Sequence, residues 1–372
     1  YTLLVKMSAA LIDLVSKGAQ DAYITGQPQV SFFRQNYKRH TNFSMRPERV
    51  DYIGTFGASN EVVVPLKSKG DLLSYVWIEA EGIATPGGNN AMFDTAASQP
   101  TTFQLWIGGQ KVSELDSLFI QGVYNPLYNE TSAKAGMRFT TETTHANSKG
   151  DHFVIPFFFG EDWTKVLPLV ALQYHEVELR IKLQDQYTLA GTPKIYANYV
   201  YLDTDERKFF TETEHELLIT QTQYQPGSQA DTEFDLTYFN HPVKAIHLVA
   251  GDAGAAVWDD HYTFGTASLY INGTALSENM SNVYHHDVVP EMHCSAIGAD
   301  TLDEDTVYTW PFCLNLAKSQ PSGSLNFSRI DNAKLLLNSV TSADSSKPAR
   351  VYAVNYNVLR VKNGMAGVAF GN

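Results

Sequence analysis

Apolar and polar residues alternate with a period of two in segment after segment of this chain. The cleanest case is 176–183, where Val177, Leu179, Ile181 and Leu183 alternate with Glu176, Glu178, Arg180 and Lys182. That pattern predicts a strand with one wet face. Runs at 61–64, 75–78, 103–107 and 194–202 predict further strands in the first half. Those at 217–223, 243–249, 267–271, 307–312 and 350–359 do so in the second. The densest apolar run, 153–159 (FVIPFFF), has strand length. Only the opening reads as helix: Leu11, Ile12, Leu14 and Val15 fall at helical spacing, and Gly18 is a stop. Residues 29–33 predict the first strand.

Many short strands joined by polar spacers predict sandwiches, and the spacers are too irregular for a propeller. Two long connections, 122–150 and 272–305, predict functional surface loops. The densest charge run, DTDERKFFTETEHE at 203–216, predicts a solvated connector between two nearly equal β-rich halves. The expected organisation is an N-terminal arm (1–26), a first sandwich (27–204), the connector (205–216) and a second sandwich (217–372).

Composition narrows the function. With 44% hydrophobic and 18% charged residues the chain is globular, and 20 Tyr and 20 Phe favour sheets and protein interfaces. A net charge of -13 repels phosphate, so direct nucleic-acid binding is not expected. Residues 1–40 are mildly basic: Lys6, Lys17, Arg34, Lys38 and Arg39 outnumber Asp13 and Asp21. An anionic partner for this arm and a simply solvated segment are equally weighted readings. Cys294 and Cys313 are too few for a disulfide scaffold and are expected as reduced thiols. No apolar run approaches the ~20 residues that span a bilayer. No secretory signal is legible. Met7-Ser8-Ala9-Ala10 reads as a natural start, and residues 1–6 are then expected to be an upstream extension or an artefact.

Catalytic chemistry is hard to find. His285-His286 with His293-Cys294 has metal-capable atoms at no strong zinc spacing. Asp259-Asp260-His261, and Glu212, Glu214 and Glu216 around His215, read as solvated loop charge before they read as acid–base or cation sites. No phosphate loop, dinucleotide fingerprint or nucleophile elbow occurs. No catalytic residue, metal site or cofactor is therefore expected. Asn-x-Ser/Thr triplets begin at Asn42, Asn129, Asn272, Asn279 and Asn326. Asn129, Asn272 and Asn279 are the glycosylation candidates, and Asn326 reads as structural.

One stretch remains unexplained by chemistry. Residues 320–333 read QPSGSLNFSRIDNA: turn residues, a strand-like run, a buried-or-paired charge pattern at Arg329 and Asp331, then apolar 333–337. The stretch resembles the signature of the major capsid proteins of nucleocytoplasmic large DNA viruses. Its candidate structural residues are Gln320, Pro321, Gly323, Asn326, Phe327, Arg329, Asp331 and Asn332. Other segments resemble the same family in the same order: KGAQDAYITGQP at 17–28, LPLVALQYHEV at 167–177, LDTDER at 202–207, NHPVK at 240–244, VNYNVL at 354–359 and GMAG at 364–367.

The resemblance runs almost end to end and implies an all-β fold of two consecutive eight-stranded jelly rolls (a double jelly roll) with a short N-terminal helical arm. It implies a structural protein, not an enzyme. Homotrimeric capsomers of pseudo-hexameric outline would tile the icosahedral shell of a large DNA virus. The partners would be neighbouring capsomers, minor capsid proteins and, through the arm, the inner viral membrane. It would be a late protein, assembled in the host cytoplasm. The residues at 274–305 resemble the family weakly, and the chain is compact for it, so short outward loops are expected. The alternative is a carbohydrate-binding β-sandwich protein, with a carbohydrate-active hydrolase third.

Overall fold

The computed structural model describes residues 11–12, 14–66, 69–79, 100–128, 152–185, 192–250, 262–294, 307–342 and 348–371. Residues Tyr1–Thr41 form one compact unit and Asn42–Asn372 another. Within the first, the backbone is helical at 11–12 and 14–15, and Ala22–Thr25 makes one short turn of helix. The Gly18 amide donates to the Asp21 carboxylate at 2.7 Å. The strand expected at 29–33 does not form: these residues are irregular, and Phe33 is 98% exposed. Their aromatic content suggested a strand, but a strand needs a neighbour to pair with, and this unit has none among its described residues.

The second unit contains two jelly rolls. The first uses β1 (Phe43–Val50), β2 (Glu61–Pro65), β3 (Leu72–Glu79), β4 (Thr102–Ile107), β5 (Gln110–Asp116), β6 (His152–Ile155), β7 (Val177–Lys182) and β8 (Lys194–Leu202). They pair antiparallel in two sheets, β1-β8-β3-β6 and β2-β7-β4-β5. The second uses β9 (His215–Ser228), β10 (Glu233–Asp235), β11 (Pro242–Ala250), β12 (Thr266–Ile271), β13 (Thr274–Ser281), β14 (Val307–Pro311), β16 (Ala333–Asn338) and β17 (Pro348–Lys362). Two short strands, β15 (Leu325–Asn326) and β18 (Met365–Val368), are added to it. Its sheets run β9-β17-β11-β14 and β10-β16-β12-β13.

Numbered within its own roll, each half therefore has the order 1-8-3-6 on one sheet and 2-7-4-5 on the other. The chain repeats one topology twice without a legible sequence repeat. The fourth and fifth strands of each roll meet in a two-residue hairpin, Gly108-Gly109 in the first and Asn272-Gly273 in the second. All four residues have positive φ, as the tight turn of a twisted hairpin requires.

Alternation in β7 alternates burial as expected: Val177, Leu179 and Ile181 are buried, while Glu178 and Arg180 are half-buried. They join Phe103, Leu105, Val76 and Ile78 in the core of the first roll. This cluster continues into Tyr352 and Val354 of the second roll, whose own core centres on Phe264, Leu335, Ile246 and Val351. The charged run between the rolls is not irregular: Thr204–Glu212 is a helix. Asp203 caps it by accepting from the Thr204 amide at 2.7 Å, and acids occupy its first turn, where the helix dipole favours them. The region 272–305, expected as a loop, instead holds β13 and a helical segment formed by Tyr284–Val288 and Val289–His293.

Candidate assembly elements

The signature stretch is a clip. Gly323 sits at φ +138°, and a Cβ there would lie 2.5 Å from the Phe312 carbonyl oxygen, so only glycine fits. Next, Leu325–Asn326 pairs with Pro242–Val243 of β11. The Asn326 side chain accepts from the Ser328 amide at 3.0 Å and caps the single turn Phe327–Arg329. Phe327 is buried between Phe239 and Phe312, each 6.2 Å away between ring centroids. The Ser328 hydroxyl accepts from the His241 amide at 2.8 Å, holding His241 at φ +66°.

The clip ends on the β12–β13 hairpin. Asn272 Oδ1 accepts from the backbone amides of Asp331 and Asn332 at 3.1 and 3.2 Å. The stretch thus ties β11 to β12 and β13 through side chain–backbone bonds. The charge pattern expected there is corrected: Arg329 and Asp331 are exposed and form no ion pair among the described residues. Their backbone, not their charge, makes the clip. Gln320 and Pro321 are exposed in the approach to it.

The two rolls are joined by a buried polar seam that no sequence pattern marks. Asp116, at the end of β5, accepts from Arg350 Nη1 at 2.9 Å, from the Tyr352 hydroxyl at 2.8 Å and from the Phe119 amide at 2.7 Å. Burial pushes its carboxyl above the ordinary range, and the Arg350 guanidinium pulls it back. Gln221 donates to the Val112 carbonyl and accepts from Asn357. Glu161 accepts from Lys165 at 2.9 Å and from the Thr220 hydroxyl. Lys244 lies over the Tyr128 ring, 5.2 Å from its centroid, and burial lowers its pKa. These groups satisfy one another across the seam, as buried polar atoms must.

The residues weighed for chemistry are spent on structure. His285 donates from Nδ1 to the Thr309 carbonyl at 3.1 Å and lies 4.4 Å from the Trp310 ring. His293 donates to the Cys313 carbonyl at 2.9 Å. His215 donates to the Phe210 carbonyl, while Glu214 and Glu216 pair with Lys362 and Arg360. No group of three metal-capable side chains gathers among the described residues. Asp259, Asp260, His261 and Asn129 lie outside those residues, as do residues 1–6. Asn272 and Asn279 are exposed at positive φ, with their amide oxygens engaged by the clip and by Asn338.

Cys294 and Cys313 are not disulfide-bonded. Both should therefore alkylate in denaturant without reductant. An unmodified chain two protons light in intact mass would contradict this.

Two buried histidines give the fold a sign in pH. The ring nitrogens of His247 lie 2.8 Å from the Tyr128 hydroxyl and 2.9 Å from Thr309 Oγ1. Burial, helped by the Lys244 charge, pushes its pKa down to about 3, and burial pushes His285 to about 4. The unfolded chain takes up protons near pH 6.5 that the fold refuses. Stability should therefore fall as pH drops from 6.5 towards 4, by about 1.4 kcal/mol per pH unit per histidine. Denaturant melts at pH 7 and 5 measure it, and His247→Gln should flatten the slope. An unchanged slope would contradict the assignment.

Comparison with known proteins fits this architecture. A family model described as "Large eukaryotic DNA virus major capsid protein" matches residues 206–367, and one described as "Major capsid protein N-terminus" matches 31–203. The major capsid protein of Pyramimonas orientalis virus is 32% identical over 404 residues, covering 98% of this chain and 100% of that protein. That of Paramecium bursaria Chlorella virus 1 is 31% identical over 446 residues, with the same coverage. Among solved structures, the capsid protein in the quasi-atomic model of the PBCV-1 virus capsid superposes with a TM-score of 0.74 at 26% identity. That match covers 92% of this chain and 100% of the other. The Faustovirus major capsid protein, at 11% identity and a TM-score of 0.63, shares the fold.

The chain belongs to the family of major capsid proteins of large eukaryotic DNA viruses. Its function is structural, its fold is the double jelly roll, and its place is the virion capsid. Nothing in these comparisons favours the carbohydrate-binding alternative.

Proposed function

We propose that three copies of the chain form a capsomer of six jelly rolls, and that such capsomers tile an icosahedral shell. The observation that carries this reading is the repeated strand order, 1-8-3-6 and 2-7-4-5, in two rolls joined along a buried seam. Two similar rolls per chain give a threefold assembly a near-hexagonal outline, the shape that tiles a flat face. Contacts between capsomers can be individually weak, since many act together.

The proposed divisions are arm 1–26, first roll 27–204 with its first strand from Phe43, connector 205–216 carrying most of the helix Thr204–Glu212, and second roll 217–372, whose first strand enters from His215. The signature residues around Phe327 act as scaffold within the second roll. The arm, with Leu11, Ile12, Leu14 and Val15 exposed, is assigned to the inner side of the shell. There it would meet minor capsid proteins or the inner membrane. A helix this short needs such a surface to be stable. Assembly in the host cytoplasm agrees with two thiols outside any disulfide, and the net charge of -13 argues against contact with DNA. No catalytic role is assigned.

Glycosylation at Asn129, Asn272 or Asn279 would appear as added mass on virion protein. The trimer is tested by light scattering on the purified chain. The expected mass is three times the 41.4 kDa of one chain, and a monomer at micromolar concentration would overturn the reading.

A further inference from the structure

A small cavity lies in the seam, between the two rolls of one chain. The first roll lines it from β5 and from the helical segment after that strand (Ser117–Phe119, Ile120–Tyr128). The second roll lines it from β9, β11 and β17, through Thr222, Lys244 and Val354. Its volume is about 50 Å³. A water molecule needs ~10–15 Å³ on that scale, so the space suits about four waters or one small tetrahedral ion.

One charge at this cavity has no counter-ion. Lys244 is only 3% exposed, and its Nζ donates to the Lys318 carbonyl at 3.0 Å and lies over the Tyr128 ring. A carbonyl and a ring are partners without a negative charge, and Lys244 forms no ion pair among the described residues. Burying a cation that way is costly. Glu161 is the one acid lining the cavity, and both its oxygens are engaged: one accepts from Lys165 at 2.9 Å, the other from the Thr220 hydroxyl. Lys318 also lines the cavity, and next to it Asp162 accepts from the Ser319 hydroxyl at 2.8 Å. Lys165, Lys244 and Lys318 thus outnumber Glu161 and Asp162. The site is positive in a chain whose net charge is -13.

The neutral polar lining supplies donors. Ser113, Thr222 and Tyr124 line the cavity, and their hydroxyls bond to no described residue. Tyr124 stacks on Tyr128, with the planes 3° apart and the centroids 6.2 Å apart, which holds its ring in place. Hydroxyls from both rolls around one buried ammonium are a donor set that suits phosphate or sulfate, since hydrogen bonds to a charged oxygen are the strong ones.

We propose that this cavity binds one free tetrahedral oxyanion, of the phosphate or sulfate class, between Lys244, Ser113, Thr222 and Tyr124. The ion supplies the missing counter-charge and bonds to both rolls at once. It binds the docked rolls and not the unfolded chain, so it stabilises the fold in step with the logarithm of its concentration above Kd. The site lies within one chain, so it stands or falls apart from the trimer reading.

The test is calorimetric titration of the full chain with inorganic phosphate, and separately with sulfate, at constant ionic strength set by chloride. One saturable site per chain is expected, with a melting temperature that climbs as the site fills. Lys244→Met should abolish both. Thr222→Val keeps the cation and nearly the same shape, and it should weaken binding about 10-fold or more, the worth of one hydrogen bond to a charged group. Should Lys244→Met fail to fold, Thr222→Val and Ser113→Ala carry the test. Glycerol 3-phosphate, whose tail exceeds the cavity, should fail to compete. Equal competition would overturn the free-ion assignment in favour of a phosphomonoester such as a lipid headgroup. No saturable site, or binding unchanged in the variants, overturns the proposal and makes the cavity a water pocket.

Discussion

Arg350→Met should cost about 3–5 kcal/mol of stability, one of the two largest effects expected of a single change. The reason is the state in which it leaves Asp116. That carboxylate is almost wholly enclosed, with 2% side-chain exposure, and Arg350 is the cation paired to it. Met fills similar space but leaves an uncompensated charge at the seam. Asp116→Asn in the same background keeps an acceptor for the Phe119 amide and for the Tyr352 hydroxyl, and removes the charge. The double variant should therefore be more stable than Arg350→Met alone, by about 1–2 kcal/mol. Denaturant unfolding of wild type, both singles and the double measures the cycle. A double variant no better than Arg350→Met would mean that lost packing, not the orphaned charge, sets the cost.

Phe327→Ala should be as damaging, by about 3–5 kcal/mol, because it empties the space between Phe239 and Phe312. It also frees the turn that joins β11 to the β12–β13 hairpin, so loss should concentrate in the second roll. Arg329→Ala, two residues away and exposed, should change stability by no more than about 0.5 kcal/mol. Thermal melting with hydrogen exchange resolved by peptide compares the two. Equal effects from both substitutions would contradict a clip built from backbone and one buried ring.

Legibility followed burial. Strand β7 stood out because one face meets the core and the other is wetter, so its sequence alternates. Strands β9 and β17 were legible only in part: 217–223 lies inside His215–Ser228, and 350–359 inside Pro348–Lys362. In β17 every residue from Ala349 to Asn357 is buried on one face or the other, so polar Asn355 and Asn357 break the apolar run without leaving the interior. Edge strands were the hardest. β1 contains Pro47 and is exposed along most of its length, so neither alternation nor an apolar run marks it. β13 was hidden the same way, and the helix after it by three histidines interrupting its apolar positions.

The family resemblance was readable, and with it the double jelly roll, but the seam was not. Asp116 and Arg350 are 234 residues apart, and a lone Asp at a strand end looks like any turn residue until the second roll is brought against it. His247 sat inside an apolar run, where pattern alone makes it an ordinary core histidine. The stack of Tyr196 on Trp77 was half visible: both lay in predicted strands, but whether they share a face depends on the register between β3 and β8.

Electron microscopy of the purified chain decides whether it forms the trimer. Class averages should show a threefold particle with six similar lobes, two from each chain. Uniform single particles of two lobes, with no threefold classes at concentrations where the protein is folded, would contradict it.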